Sequence, residues 1–274
     1  MKRVPLLHLL SRRRFSTSST VETGFSRPEF GRERLVGTVQ PYDRHVFLHY
    51  GLPTTWHSDV EAEEGLSRSL SLAIKARQGE MKKKTRLTIH GGADNASSTS
   101  SGDILIFPDM ARYRNLSNLH VDDFVEEVLV KEANWQSSSM QILNRSYIFV
   151  CSHGTHDQRC GFCGPALVNK FQEDIASLGL VDKVYVSPCS HIGGHKYAGN
   201  VIIFDSSFNG ESTGHWYGYV SPDDVPVLLE QHLRGGKIVE KLWRGQMGLS
   251  REEQKKAQEL RLQLGSEIAS RKHG

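Results

Sequence analysis

Outside the stretch Tyr147–Phe204 the sequence has no cysteine. It has no run of 18 apolar residues, which excludes a transmembrane helix of ordinary length. It has no acidic residue before Glu22. It has no GxGxxG or GxxxxGK order, so no glycine-rich phosphate cradle is assigned, not even to the Gly/Ser/Asn/Thr-rich loop from Gly91 to Gly102. A basic stripe is missing too. The first fifteen residues carry five cations and no acid, so a formal charge of +3 leaves the remaining chain at −2. A near-neutral body of this kind argues against nucleic acid as the partner. What is present is ordinary for a globular protein: 38% hydrophobic and 24% charged residues.

The first twenty residues, MKRVPLLHLLSRRRFSTSST, are Arg- and Ser-rich. That composition predicts an organelle transit peptide. The order Arg13-Arg14-Phe15-Ser16 predicts mitochondrial processing after Phe15, with the matrix as destination; chloroplast and cytosol are the alternatives. A reducing interior makes structural disulfides an unsuitable default for the cysteines. Residues 1–35 are therefore read as transit peptide and disordered lead-in.

Beyond them, periodicity and turn residues predict two α/β units of the same order. In the first, residues 36–139, strands are expected at Asp43–Tyr50, Thr85–Ile89 and Asp103–Pro108. Helices are expected at about 59–78 and His120–Trp135, with a linker at Ser137–Ser139. In the second, residues 140–249, Ser146–Cys151 reads as a buried strand and Ser152–Cys163 as a polar loop. A helix follows from about Pro165 to Gly179. The next strand, Val184–Val186, is closed by Ser187-Pro188. Strands at Val201–Phe204 and His215–Val220 and a helix from Pro222 to Leu233 complete the unit, with Ile238–Met247 packing back on it. Residues 250–274 form a charged helix with a capping box, Ser250-x-x-Glu253.

The chemistry concentrates in Tyr147–Phe204, which holds Cys151, Cys160, Cys163, Cys189, His153, His156, His191 and His195. Soft ligands gathered in this way point to a metal or redox site. Several assignments fit. Cys151 and Cys160 could bind one iron of a [2Fe–2S] cluster, with His191 and His195 on the other, since imidazole can replace thiolate on one iron. All four cysteines could serve instead. Cys160-Gly-Phe-Cys163 could be a CxxC dithiol whose thiolate is favoured by a helix start. Zinc could take the same ligands, although only half of the paired finger spacing is present. Gly193 and Gly194 permit a tight turn that lets two imidazoles converge.

The run CSHGTHDQRCGFCGP, followed by HIGGHKYAGN and later by LWRGQMG, resembles the sucrase/ferredoxin-like family. The resemblance covers most of the chain after about residue 38 and is nearest to the family's mitochondrial branch. It implies tandem thioredoxin-like units, the C-terminal one a thioredoxin-like ferredoxin and the first without ligands. It also implies that a [2Fe–2S] cluster binds to Cys151, Cys160, His191 and His195, leaving out Cys163 and Cys189. No pair of carboxylates is set for glycoside hydrolysis. The implied function is one-electron transfer or redox sensing with a redox partner protein, rather than bond-making catalysis. A thiol–disulfide oxidoreductase using Cys160 and Cys163, or a zinc-stabilised interaction module, are the competing readings.

Overall fold

The computed structural model describes residues 24–59, 65–91, 101–133, 139–205 and 212–271. The expected transit peptide lies outside them, as does most of the expected linker.

The first half begins with β1 (Arg44–His49), α1 (Leu66–Arg77) and β2 (Thr85–His90). It continues with β3 (Ile104–Phe107) and β4 (Ala111–Tyr113). A helix, α2, follows over Val121–Phe124 and winds on as a wider π-helical segment, Val125–Val130, before β5 (Met140–Ile142). The second half repeats this order: β6 (Ser146–Cys151), α3 (Gln158–Ser177), β7 (Val184–Cys189), β8 (Val201–Asp205) and β9 (Thr213–Tyr217). Then come α4 (Val225–Val227), continued by a π-helical segment (Leu228–Arg234), and β10 (Trp243–Gln246). A last helix, α5 (Arg251–Arg271), is capped as expected by Ser250 and Glu253.

The pairing in the two halves is the same. β1 is parallel to β2 and antiparallel to β3, and β6 is parallel to β7 and antiparallel to β8. Each half is a thioredoxin-like unit extended by one outer strand. β5 pairs with β4, as β10 pairs with β9. Met140–Ile142 thus pairs with a strand of the first half.

One sheet holds all ten strands, in the order β10-β9-β8-β6-β7-β2-β1-β3-β4-β5. Its two halves meet through one residue pair, His90 with Cys189. That narrow joint lets the sheet fold on itself. Side chains alternate along each strand. In β1, Val46 and Leu48 face α1 and α2, while Phe47 faces the other half. In β6, Ile148 and Val150 face α3, while Phe149 and Cys151 face inward. Phe47 stacks on Phe149 with ring centroids 3.7 Å apart, and Phe107 on Phe204 at 4.1 Å. The architecture is α/β with four layers: helices, half-sheet, half-sheet, helices. Each fully buried Phe at the central layer contributes roughly 1.5–3 kcal/mol by its removal from water.

Three expectations are corrected. Residues 24–35 are not a disordered lead-in: Arg27 and Leu35 are buried, and Phe25 packs edge-on against Phe162. α3 starts at Gln158, not near Pro165, because Asp157 caps it by accepting from the amide of Arg159 at 2.9 Å. Finally, β7 runs through Pro188 to Cys189. Proline lacks the donor a central strand needs, but β7 barely pairs with β2, so little is lost there.

Candidate metal centre

The C-terminal ends of β6 and β7 bring Cys151 and Cys189 side by side in parallel register. The first turn of α3 supplies Cys160, and the loop after β7 supplies His191 and His195. Local sequence explains the approach. A side chain on Gly164 would strike the carbonyl oxygen of Cys151 at 2.4 Å, so only glycine lets α3 close on the end of β6. Gly193 and Gly194 take φ of +90° and +76°, conformations that cost L-residues energy, and they turn the chain between the two histidines.

The donor atoms of Cys151, Cys160 and His191 all lie within 4.8 Å of one another. Cys151 Sγ is 4.0 Å from Nδ1 of His191. The ring nitrogens of His156, His191 and His195 form a second group within the same limit. The two cysteines are buried, while His195 is 49% exposed. Three of the four expected ligands therefore converge, and the fourth adjoins them through His191. The two remaining cysteines fall outside this donor group. Cys163 is buried under Arg27, whose Nη1 is 3.7 Å from its sulfur, and Cys189 is buried against the inner core. All four cysteines are free thiols.

Charge in this pocket is shared. A hydrogen bond from Cys160 and the facing His191 hold the Cys151 thiol well below its ordinary range, despite burial. Cys160 keeps the proton and is pushed up by its bond to Cys151 and by burial. The pair thus carries one thiolate, ready to accept a cation. Burial raises both Cys163 and Cys189. His195 is lowered by burial, although Asp157, 3.8 Å away, pulls in the other direction. Two thiols and two imidazoles on three separate elements suit an iron–sulfur cluster or zinc by donor chemistry.

Several neighbours had no role assigned from the sequence. His156 stacks on His191 with centroids 3.9 Å apart. His153 takes a proton-donor bond from the His191 amide on Nδ1 and uses Nε2 to donate to the carbonyl of His57, at 3.2 and 2.8 Å. Both its nitrogens are spent, so it orients the loop and is not a ligand. Thr155 and His156 donate to the carbonyls of Trp56 and Ser58. A loop of the first half thus holds the ligand loop of the second. Arg86 donates to the carbonyl of Ile192 and Arg244 to that of Gly193. The histidines stood in the cysteine-rich stretch and Arg244 in the LWRGQMG run, but no role attached to them there; Arg86 lies far away in sequence and gave no signal.

The profile of the family described as sucrase/ferredoxin-like matches residues 35–245, more than half of the chain. A Debaryomyces hansenii protein called altered inheritance of mitochondria protein 32 is 41% identical over 107 residues. That match spans 39% of this chain and only 38% of the relative's length. A Candida glabrata protein of the same name is 34% identical over 256 residues, spanning 77% of this chain and 80% of the relative. Among solved structures, a thioredoxin-like [2Fe–2S] ferredoxin from Aquifex aeolicus is 27% identical, with a TM-score of 0.30. It covers 36% of this chain and 96% of its own. With the profile spanning both halves, the chain belongs to the sucrase/ferredoxin-like family.

Proposed function

We propose that the protein holds a [2Fe–2S] cluster on Cys151, Cys160, His191 and His195 and serves as a one-electron carrier or redox sensor. The observation that carries this reading is the convergence of Cys151, Cys160 and His191 from β6, α3 and the turn after β7. Ferredoxin-like family membership supports it. A bound cluster would supply a site that takes up and releases one electron. The chain's own contribution is positional and electrostatic. Cys151 and Cys160 give an anionic, buried end; His191 and His195 give a neutral, more exposed end. Asp157 faces His195, and Arg86 and Arg244 brace the turn between the histidines. The names of the relatives support action in mitochondria, and the Arg-rich, acid-free start supports the matrix.

Anaerobically purified protein is expected to be brown, with about two irons and two sulfides per chain. Neutral imidazoles and nearby guanidinium groups both ease addition of an electron. The potential should lie well above the roughly −400 mV of all-cysteine plant-type ferredoxins. Colourless protein with stoichiometric zinc would favour the zinc module. A disulfide between Cys160 and Cys163 that cycles with a thiol substrate would favour the oxidoreductase.

A further inference from the structure

Behind the Ile192–Gly194 turn lies a pocket of about 410 Å³. Its lining contains four cations, Arg86, Arg244, Lys196 and Arg251, and no carboxylate. Arg244 is 2% exposed. It donates from Nε to the Thr38 hydroxyl and from Nη1 to Asn200 Oδ1 and the Gly193 carbonyl, all neutral acceptors. Nη2 reaches the Thr38 carbonyl at 3.3 Å. Arg86 donates from Nη2 to the Ile192 carbonyl and lies over Trp216, 5.1 Å from the ring centroid. Among the described residues, neither guanidinium group is paired with a carboxylate, and the one thiol held low, Cys151, acts on both. Burial lowers both, Arg244 to about 10.

Arg244 is buried and Arg86 half-buried, and holding guanidinium groups away from water with no carboxylate beside them is costly unless an anion compensates. Carbonyl dipoles and aromatic faces offset part of that cost. Arg86 lines the pocket and is half-buried, so its guanidinium group is open to a ligand there. Lys196, paired with Glu33, and Arg251 are exposed at the mouth. Cations are therefore arranged from the mouth to the floor, and the volume falls in the range of small-molecule sites.

We propose that this pocket binds a small phosphate-bearing anion, with the phosphate group between Arg86 and Arg244. Guanidinium is the side chain best shaped for phosphate, since its N–H groups fork onto two oxygens. The remaining volume leaves room for a small organic body beside Tyr197. Such a ligand would sit against the two arginines that hold the carbonyls between His191 and His195, so occupancy would be felt at the metal turn. The binding itself does not depend on any metal.

The test is titration calorimetry on the full chain, with and without bound metal, at constant ionic strength. Inorganic phosphate, ribose 5-phosphate and neutral ribose are the probes, and chloride is the background anion. Saturable binding of about one phosphate-bearing ligand per chain is expected, with none for ribose. Tighter binding of ribose 5-phosphate would identify an organic phosphate; equal binding would identify inorganic phosphate. Arg86→Gln should weaken binding about tenfold or more, as loss of a charge-assisted pair implies. Because Arg244→Gln could unfold the turn, Arg251→Gln at the exposed mouth is the second variant, and it should weaken binding by a smaller factor. No saturable binding to either phosphate, or binding unchanged in both Arg86→Gln and Arg251→Gln with native circular dichroism, overturns the proposal. Iron content, measured separately, decides the cluster reading and is untouched by either result.

Discussion

The two halves share one topology and differ in what they place at matched positions. β1 and β6 align residue for residue against β2 and β7, so His49 stands where Cys151 stands, and His90 where Cys189 stands. The aromatic pairs Phe47 with Phe149 and Phe107 with Phe204 occupy equivalent positions and stack on each other. The inner faces are thus nearly alike in packing and unlike in chemistry. In the second half, Cys160 on the first turn of α3 and the histidine turn after β7 complete a donor set. In the first half, the loop after β1 instead offers the carbonyls of Trp56, His57 and Ser58 to the second half's loop. One copy of the unit carries the ligands, and the other supplies a wall and a clamp. A shared fold therefore does not entail a shared site.

The sharpest way to break this contrast is to substitute matched positions. Cys151→Ser, Cys160→Ser, His191→Ala and His195→Ala should each lose most of the iron, whereas His49→Gln and His90→Gln should keep it. Cys163→Ser and Cys189→Ser should keep it too, since neither sulfur joins the donor group. Iron and sulfide analysis with visible absorbance reads all of these. Retention of full iron by Cys160→Ser together with its loss in Cys163→Ser would reassign the first ligand pair.

Much of this was legible in the sequence because it was local. β6, with its unbroken apolar run, ends at Cys151 as the pattern predicts, and Ser250 with Glu253 caps α5. The four ligand candidates stood out by type and spacing. Other features depended on distant partners. The start of α3 was hidden because Pro165 reads as a first-turn residue, while Asp157 caps the helix two turns earlier. β4 and β5 are only three residues long, too short for alternation to register. The placement of Arg27, Arg86 and Arg244 beside the ligand loop depends on contacts with residues 51 to 171 positions away. No window along the chain contains that information.

A smaller effect should sharpen the likeness of the halves. Phe47→Ala and Phe149→Ala should each cost about 3–5 kcal/mol in urea denaturation. Because the rings stack on one another, the double variant should cost less than the sum, by about 0.5–1.5 kcal/mol. Strict additivity would mean that the two faces do not rely on each other.

The smallest effect concerns acid. Burial holds His45 and His90 well below the ordinary histidine range; Arg86 adds to the first and His49 to the second. Their counterparts, Tyr147 and Cys189, do not titrate there. Below about pH 6.5 the unfolded chain takes up protons that these folded histidines refuse, so stability falls as pH drops. Each contributes up to about 1.4 kcal/mol per pH unit while it stays neutral. Urea midpoints between pH 6.5 and 5 should fall less steeply in His45→Gln and His90→Gln. An unchanged slope would place the acid sensitivity elsewhere.

The single residue pair joining β2 to β7 has a consequence for dosage. Two separate chains that met through these aromatic faces would part on dilution, and the ligand loop would lose the carbonyls that Trp56, His57 and Ser58 provide. Here the two faces are parts of one polymer. The linkage keeps each at an effective concentration on the order of millimolar before the other. Closure of the site is therefore a first-order event, equally complete whether a cell makes few copies of the protein or many.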